Sequence, residues 1–187
     1  MLTFLNRRFQ VLFLNAPVAF WVAAGIPVAL LVDLSSGQTL FAREADRRFL
    51  PASVTKIMTG LLAVENSFPA ELVTISERAA ATGEKEIDLV AGETLEMDAL
   101  FKALMIHSAN DAATAIAEHI SGSVEEFVDL MNRRAAELGL THTSFANPHG
   151  LDAPNHYTTA RDLLELSRVA MANDDFAEVV KAKILVF

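Results

Sequence analysis

The chain has 187 residues, 52% of them hydrophobic and 21% charged, a length and composition that suit one folded domain and exclude disorder as a description of the whole. With 15 Lys and Arg against 24 Asp and Glu the net charge is -9, which repels phosphate backbones and leaves nucleic-acid binding without an electrostatic footing. The absence of cysteine removes disulfide scaffolds, thiolate zinc sites, iron–sulfur clusters and cysteine nucleophiles, but does not fix the compartment.

Residues 1–24 have the layout of a signal peptide: Arg7 and Arg8 precede the uncharged run Phe9 to Ala24, which closes on Val22-Ala23-Ala24. Two other readings stay open. Val11 to Val32 lacks charge and is long enough to cross a bilayer if helical, although Pro17, Gly25 and Pro27 argue against one continuous helix. The same residues also suit an apolar strand and helix of a soluble core.

Pro27 to Asp33 is patterned as a buried strand, and the turn residues Ser35-Ser36-Gly37 lead into a second short strand, Gln38 to Ala42. A charged connector, Ala45 to Pro51, precedes a helix from Ser53 to Val64. From Thr74 to Asn173 the pattern predicts helices with short connections. Thr94 to Ile106 is one, with Met97, Leu100 and Leu104 spaced as core positions, and an alanine-rich helix begins near Asp111. Ser123-Val124-Glu125-Glu126 is a capping box, Gly139 stops that helix, and Thr159 caps a last helix to about Ala172 that buries Leu163, Leu166 and Ala170. Glu84 to Asp88 suits a solvated loop, Asn147-Pro148-His149-Gly150 is loop chemistry, and Val179 to Phe187 is strand-like.

Ser53-Val54-Thr55-Lys56 places a hydroxyl and an amine one helical turn apart on one face. Such a pair makes an activated nucleophile if burial or a nearby cation keeps the amine neutral, and the helix N-terminus adds amide donors toward a developing oxyanion. The pair alone is weak, since the Ser and Lys content predicts about 0.27 chance matches. The plain alternative is a capping Ser and a solvated Lys. Ser108-Ala109-Asn110, alone, is a helix–helix corner whose polar residues cap the next helix.

The two elements together, in this order, match two of the three motifs, S-x-x-K, S-D-N and K-T-G, of serine β-lactamases and penicillin-binding proteins. The surrounding sequence sharpens the match: Pro51-Ala52-Ser53-Val54-Thr55-Lys56-Ile57-Met58-Thr59, His107-Ser108-Ala109-Asn110-Asp111-Ala112-Ala113, Met131-Asn132-Arg133, Phe145-Ala146-Asn147-Pro148-His149-Gly150-Leu151-Asp152 and Thr158-Thr159-Ala160-Arg161-Asp162. From about Pro27 to Val180 the chain resembles the D-alanyl-D-alanine carboxypeptidases, the low-molecular-mass penicillin-binding proteins of the S11 peptidase family.

The resemblance implies an α+β fold of the β-lactamase/DD-peptidase kind, an antiparallel sheet flanked by helices with a mostly helical subdomain. Residues 25–187 are then the N-terminal part of the catalytic domain: hairpin and nucleophile helix over 25–66, helical subdomain over 67–173, and the start of a return to the sheet over 174–187. The implied activity is removal of the terminal D-alanine from peptidoglycan pentapeptides through an acyl-enzyme, in cell-wall biogenesis. The implied location is exported, periplasmic or on the outer face of the cytoplasmic membrane. Implied partners are the peptidoglycan stem peptide and β-lactam antibiotics, with membrane association through the N-terminus or a C-terminal anchor. By resemblance Ser53 is the nucleophile, Lys56 its base, Ser108 the relay to the leaving D-alanine, and Asn110 the residue that binds the substrate's amide carbonyl.

No Lys-Thr-Gly or Lys-Ser-Gly occurs in the 187 residues. In the family this motif lies roughly a hundred residues beyond Ser-x-Asn, so the sequence is expected to be truncated, with an incomplete sheet and weak or no activity in isolation. The competing readings are a non-catalytic penicillin-binding or cell-wall fragment and a class A β-lactamase; Ala109 in the middle of Ser-x-Asn and the lack of Glu-x-x-Leu-Asn argue against the lactamase. His107, His142, His149 and His156 have no metal-ligand spacing, and no P-loop or Gly-x-Gly-x-x-Gly is present, so neither a metal nor another cofactor is expected.

Overall fold

The computed structural model describes residues 27–181. The signal-peptide reading of residues 1–24 lies outside them. Two compact units divide the described residues, one comprising 27–47 with 159–161, the other 48–158 with 162–181.

In the first unit, β1 (Ala29–Val32) and β2 (Thr39–Arg43) form the expected antiparallel hairpin, with Leu31 opposite Phe41 and a register irregularity between Leu31 and Val32. Asp33 organises the turn by accepting from the Ser35 amide and from the Ser35 and Ser36 hydroxyls. Those bonds hold its carboxyl below the usual aspartate range. The expectation of a buried first strand is corrected: Leu31 and all of β2 are exposed. A two-stranded ribbon has too few neighbours to bury its faces. Because Ala29–Val32 is strand, the reading of Val11 to Val32 as one membrane helix is also corrected over those residues. Among the described residues no helix is long and apolar enough to cross a membrane.

The second unit is built around α1 (Lys56–Asn66), entered through a tight 3-10 turn at Ala52–Thr55, and α4 (Asn110–Ser121). Between them lie β3 (Leu72–Thr74), α2 (Glu77–Ala80), β4 (Thr94–Glu96), α3 (Met97–Lys102) and a π turn at Ala103–His107. α5 (Val124–Glu137), α6 (Ala160–Ala172) and α7 (Asp174–Lys181) follow. α4 is buried from Asn110 to Ala117, and its small side chains at Ala112, Ala113, Ala115 and Ala117 allow α1, α2, α3 and α5 to pack closely against it. Met58, Leu61 and Leu62 of α1, Ile116 of α4, and Phe127 and Met131 of α5 share one core with Leu104 and Leu166. Met97, Leu100 and Leu104 are buried as their spacing predicts.

Ser123 caps α5 by accepting from the Glu126 amide, and Gly139 follows that helix with φ +73°, a conformation glycine adopts without strain. Two departures from the sequence-based expectation have simple causes. The helix expected from Thr94 starts at Met97, because Thr94–Glu96 pairs antiparallel with Leu72–Thr74, Val73 opposite Leu95. Strands of three residues are too short for an alternating pattern to register. The strand-like tail is likewise corrected for Val179–Lys181, which belong to α7. Asn173 caps this helix by accepting from the Phe176 amide, and Phe176 and Ala177 face the core, so helical burial overrides the β-branched composition. Ala182 to Phe187 lie outside the described residues.

The connection from α5 to α6 has little regular structure, yet its polar groups are paired. Asn132 accepts from the Phe145 amide through its Oδ1 and donates to the Phe145 carbonyl through its Nδ2, acting as a strand partner for the loop. Buried His156 accepts from the Ala146 amide at Nδ1, so its proton resides on Nε2, which donates to Thr55 Oγ1 at 2.9 Å. This bond ties the loop to the turn ahead of α1.

Truncation of Phe127, fully buried between helices, to alanine is expected to destabilise the chain by about 3–5 kcal/mol in urea unfolding. His156 yields a pH prediction. Burial lowers its proton affinity in the folded state, and Asp152 opposes this more weakly. The unfolded chain therefore binds more protons as pH falls through roughly 6.5, and stability must fall with it. Thermal midpoints between about pH 7.5 and 5 are expected to decline less steeply in His156→Gln than in the parent; equal slopes would remove His156 as the cause.

Candidate active site

All the candidate site residues belong to the second unit. Ser53 lies in the 3-10 turn and Lys56 opens α1. The residue before Ser53, Ala52, is held at φ +48°, a left-handed conformation uncommon for a side-chain-bearing residue and of the strained kind that clusters at functional sites. Ser53 is exposed and Lys56 is 3% exposed, so one turn of chain presents its hydroxyl to a cleft and sinks its amine beneath it.

The buried ammonium donates to Asn110 Oδ1 at 2.7 Å and to the His149 carbonyl at 2.6 Å. Burial, with a smaller contribution from the positive charge of Lys85, lowers Lys56 from the ordinary lysine value to about 8. About a tenth of the molecules then carry the neutral amine at pH 7, against a few in ten thousand for an unperturbed lysine. Burial, and then the neighbouring Lys56 charge, also lowers His149, to about 4, so its imidazole is neutral at pH 7.

Asn110 is the first residue of α4, where its buried side chain also donates from Nδ2 to the Gly83 carbonyl. Its neighbour Asp111 accepts from the Ile87 and Leu89 amides, and the Asn110 amide donates to the Lys85 carbonyl. The run Glu84 to Asp88, expected as a plain solvated loop, is exposed but fastened to the head of α4 by these bonds.

Ser53 and Asn110 line one cleft of about 410 Å³ with Lys85, His149, Gly150 and Asp152. Lys56 joins them through its bond to Asn110. Ser108 is placed differently. It sits at φ +63° after the π turn, and its buried Oγ has no hydrogen-bond partner among the described residues. It is not among the residues lining the cleft.

The sequence marks Asn147 to Gly150 as loop chemistry and as part of the resemblance, but not as a wall of the cleft. Gly150, at φ +98°, packs so tightly behind the nucleophile that a Cβ there would stand 1.9 Å from the Ala52 carbonyl oxygen and 3.0 Å from the Ser53 nitrogen. Its amide donates to Asn147 Oδ1, and Thr59 Oγ1 donates to the Pro148 carbonyl. The sequence signal is the Phe145 to Asp152 motif of the resemblance, which carries no role for these residues by itself, because the lysine's other partner is a main-chain carbonyl, which no residue type reveals.

A second, more apolar cleft of about 400 Å³ lies among Phe68, Met97, Phe101 and Val179. Its one hydroxyl, Ser67 Oγ, donates to the Ala63 carbonyl and its one lysine, Lys102, pairs with Asp98, so it lacks a serine–lysine pair. Among the described residues no three His, Cys, Asp or Glu side chains converge as metal ligands do.

The sequence matches the D-alanyl-D-alanine carboxypeptidase family over residues 21–184. It is 42% identical over 145 residues to D-alanyl-D-alanine carboxypeptidase DacF of Bacillus subtilis, covering 75% of this chain and 37% of that protein. It is 37% identical over 175 residues to DacC of Escherichia coli, covering 84% and 44%. The chain thus spans less than half the length of either relative. Among solved structures it is similar to penicillin-binding protein 5 from Haemophilus influenzae, with TM-score 0.79, 33% identity, and coverage of 86% of this chain and 49% of that one. DacD from Francisella tularensis gives TM-score 0.78 at 37% identity, covering 83% and 38%. The helix-rich second unit and small antiparallel sheets agree with the α+β fold of these enzymes, and with a family match spanning most of its residues the chain belongs to the D-alanyl-D-alanine carboxypeptidases.

Proposed function

We propose that the chain carries the acylation half of a serine-type D-alanyl-D-alanine carboxypeptidase site, acting outside the cytoplasm on peptidoglycan stem peptides and acylated by β-lactams. The observation that carries this reading is the buried Lys56 amine, one turn from Ser53, held by Asn110 and the His149 carbonyl and lowered to about 8. A lysine serving only solubility would extend into water and keep its ordinary value.

In this mechanism the neutral Lys56 amine takes the Ser53 proton as Oγ attacks the carbonyl carbon of the penultimate D-alanine. The Ser53 amide, at the start of the helical turn, donates to the resulting oxyanion. Ser108, given this part by the family's Ser-x-Asn motif and with no protein partner for its Oγ among the described residues, passes the proton that Lys56 took from Ser53 to the departing D-alanine amine as the C–N bond breaks. Water then attacks the acyl-enzyme, giving a proton to the neutral Lys56 amine, which passes it to Ser53 Oγ as the ester bond breaks. Asn110 binds the acyl-side amide carbonyl and, through Lys56, keeps base and substrate in register.

The decisive measurement is intact mass after incubation with benzylpenicillin. A single adduct is expected, absent in Ser53→Ala and formed about 10²–10⁴ times more slowly in Lys56→Ala, the usual worth of a positioned general base. An adduct that survives Ser53→Ala would sink the assignment, and no adduct on the folded parent would show that these 187 residues do not activate Ser53 by themselves, as the lack of Lys-Thr-Gly taken alone leads one to expect. The acylation rate should climb with pH and level off with a midpoint near 8, because only deprotonated Lys56 accepts the serine proton. Gly150→Ala is expected to slow acylation at least tenfold while leaving a folded chain, since the added methyl pushes on the Ala52 carbonyl next to Ser53; an unchanged rate would show that the turn tolerates displacement.

A further inference from the structure

Lys85 is a charged residue in the cleft whose one part in the proposed reaction is the minor effect of its charge on Lys56. It lies in the loop between α2 and β4, and its main-chain carbonyl accepts the Asn110 amide at 2.6 Å, so it is fixed next to the side chain that holds both Lys56 and the substrate's acyl amide. Two further restraints hold the loop: Asn110 Nδ2 donates to Gly83, and Asp111 accepts from Ile87 and Leu89. The flanking Glu84 and Asp88 have φ of +73° and +59°. The Lys85 side chain is exposed at the cleft, and its ammonium makes no hydrogen bond or ion pair among the described residues.

We infer that Lys85 determines specificity, its ammonium pairing with a carboxylate on the acyl arm of the substrate, the part held on the Asn110 side of the scissile bond. The inference rests on the acyl-transfer reading of the Ser53 cleft and adds to it a substrate class: acyl donors with an anionic arm. Glu84 and Asp152 line the same cleft and would favour a cationic arm. Position separates them: Lys85 is bonded through its own carbonyl to Asn110, the residue on the acyl side, whereas Asp152 belongs to the loop that carries His149 and Gly150.

Three penicillins with the same bicyclic nucleus and ring carboxylate separate these possibilities: carbenicillin carries a carboxylate on its acyl arm, ampicillin an ammonium and benzylpenicillin neither. Their non-covalent binding to the Ser53→Ala chain is followed through the Asn110 and Gly150 amide resonances. Carbenicillin is expected to bind about tenfold more tightly than ampicillin, a ratio that Lys85→Gln brings to about one and Lys85→Glu inverts. Both variants should retain the parent's thermal midpoint, because the loop is held by main-chain bonds and Asp111. Equal affinities in the Lys85 chain, a preference for ampicillin, a preference that survives Lys85→Gln, or no binding of any of the three would overturn the inference. The benzylpenicillin adduct of the chain with Ser53 intact is read separately. An adduct without a carbenicillin preference removes the role of Lys85 and keeps the acyl-transfer reading; a preference without an adduct leaves Lys85 an anion-binding residue but overturns its assignment to an acyl arm together with that reading of these 187 residues.

Discussion

A lysine amine buried beneath a serine is the constraint on which the second unit turns. Holding Lys56 near 8 in place of its ordinary 10.5 corresponds to roughly 3 kcal/mol against its charged form. The fold accepts that cost only because Asn110 Oδ1 and the His149 carbonyl satisfy the ammonium when the proton is present. Both acceptors must be fixed before the lysine can be buried. Asn110 is fixed as the first residue of α4, the most deeply packed helix. The His149 carbonyl is fixed by the bonds that fasten residues 147–151 to themselves and to Thr59. Core packing and site chemistry are thereby linked: the small residues that let α1 and α4 approach also bring the base to its partner.

Backbone strain follows the same line. Ala52 before the nucleophile, Ser108 before Ala109 and Asn110, and Glu84 beside Lys85 all adopt positive φ without being glycine. Such conformations persist only where surrounding contacts over-determine them. At Ala52 the determinant is visible, because Gly150 packs onto its carbonyl with no room for a methyl group. The nucleophile turn is thus braced from behind by a loop and from below by the His156–Thr55 bond, so Ser53 is presented by a rigid surround even though it is exposed.

The parts legible in the sequence were those encoded by side-chain chemistry at short spacing. The Ser53–Lys56 pair, the Ser-x-Asn corner and the capping serine at 123 each depend on a residue type at a fixed offset, and each appears where that offset puts it. What stayed hidden depends on the main chain or on contacts far apart in sequence. The partner of Lys56 at position 149 is a carbonyl 93 residues away. The β3–β4 pair has strands too short to show a period, and α7 carries β-branched residues that only tertiary burial turns into a helix. Lys85 was hidden in another way. Within an acidic run it looked like one more solvated charge, and only the bond from its carbonyl to Asn110 brings it to the cleft.

That last case shows how such a site can vary without losing its chemistry. The groups that make the serine reactive are buried and packed on one another, so a change at Asn110, Gly150 or Lys56 acts directly on the geometry that the reaction needs. The loop from Gly83 to Leu89 is restrained through its backbone and through Asp111, which leaves the side chains at 84 and 85 free of structural duty. Charge at the cleft mouth can change there while the amide and carbonyl groups that hold the loop remain as they are. A buried base held by Asn110 and a main-chain carbonyl, beside a variable rim on a main-chain frame, lets selectivity change at the cleft mouth with only the charge at position 85 reaching the base.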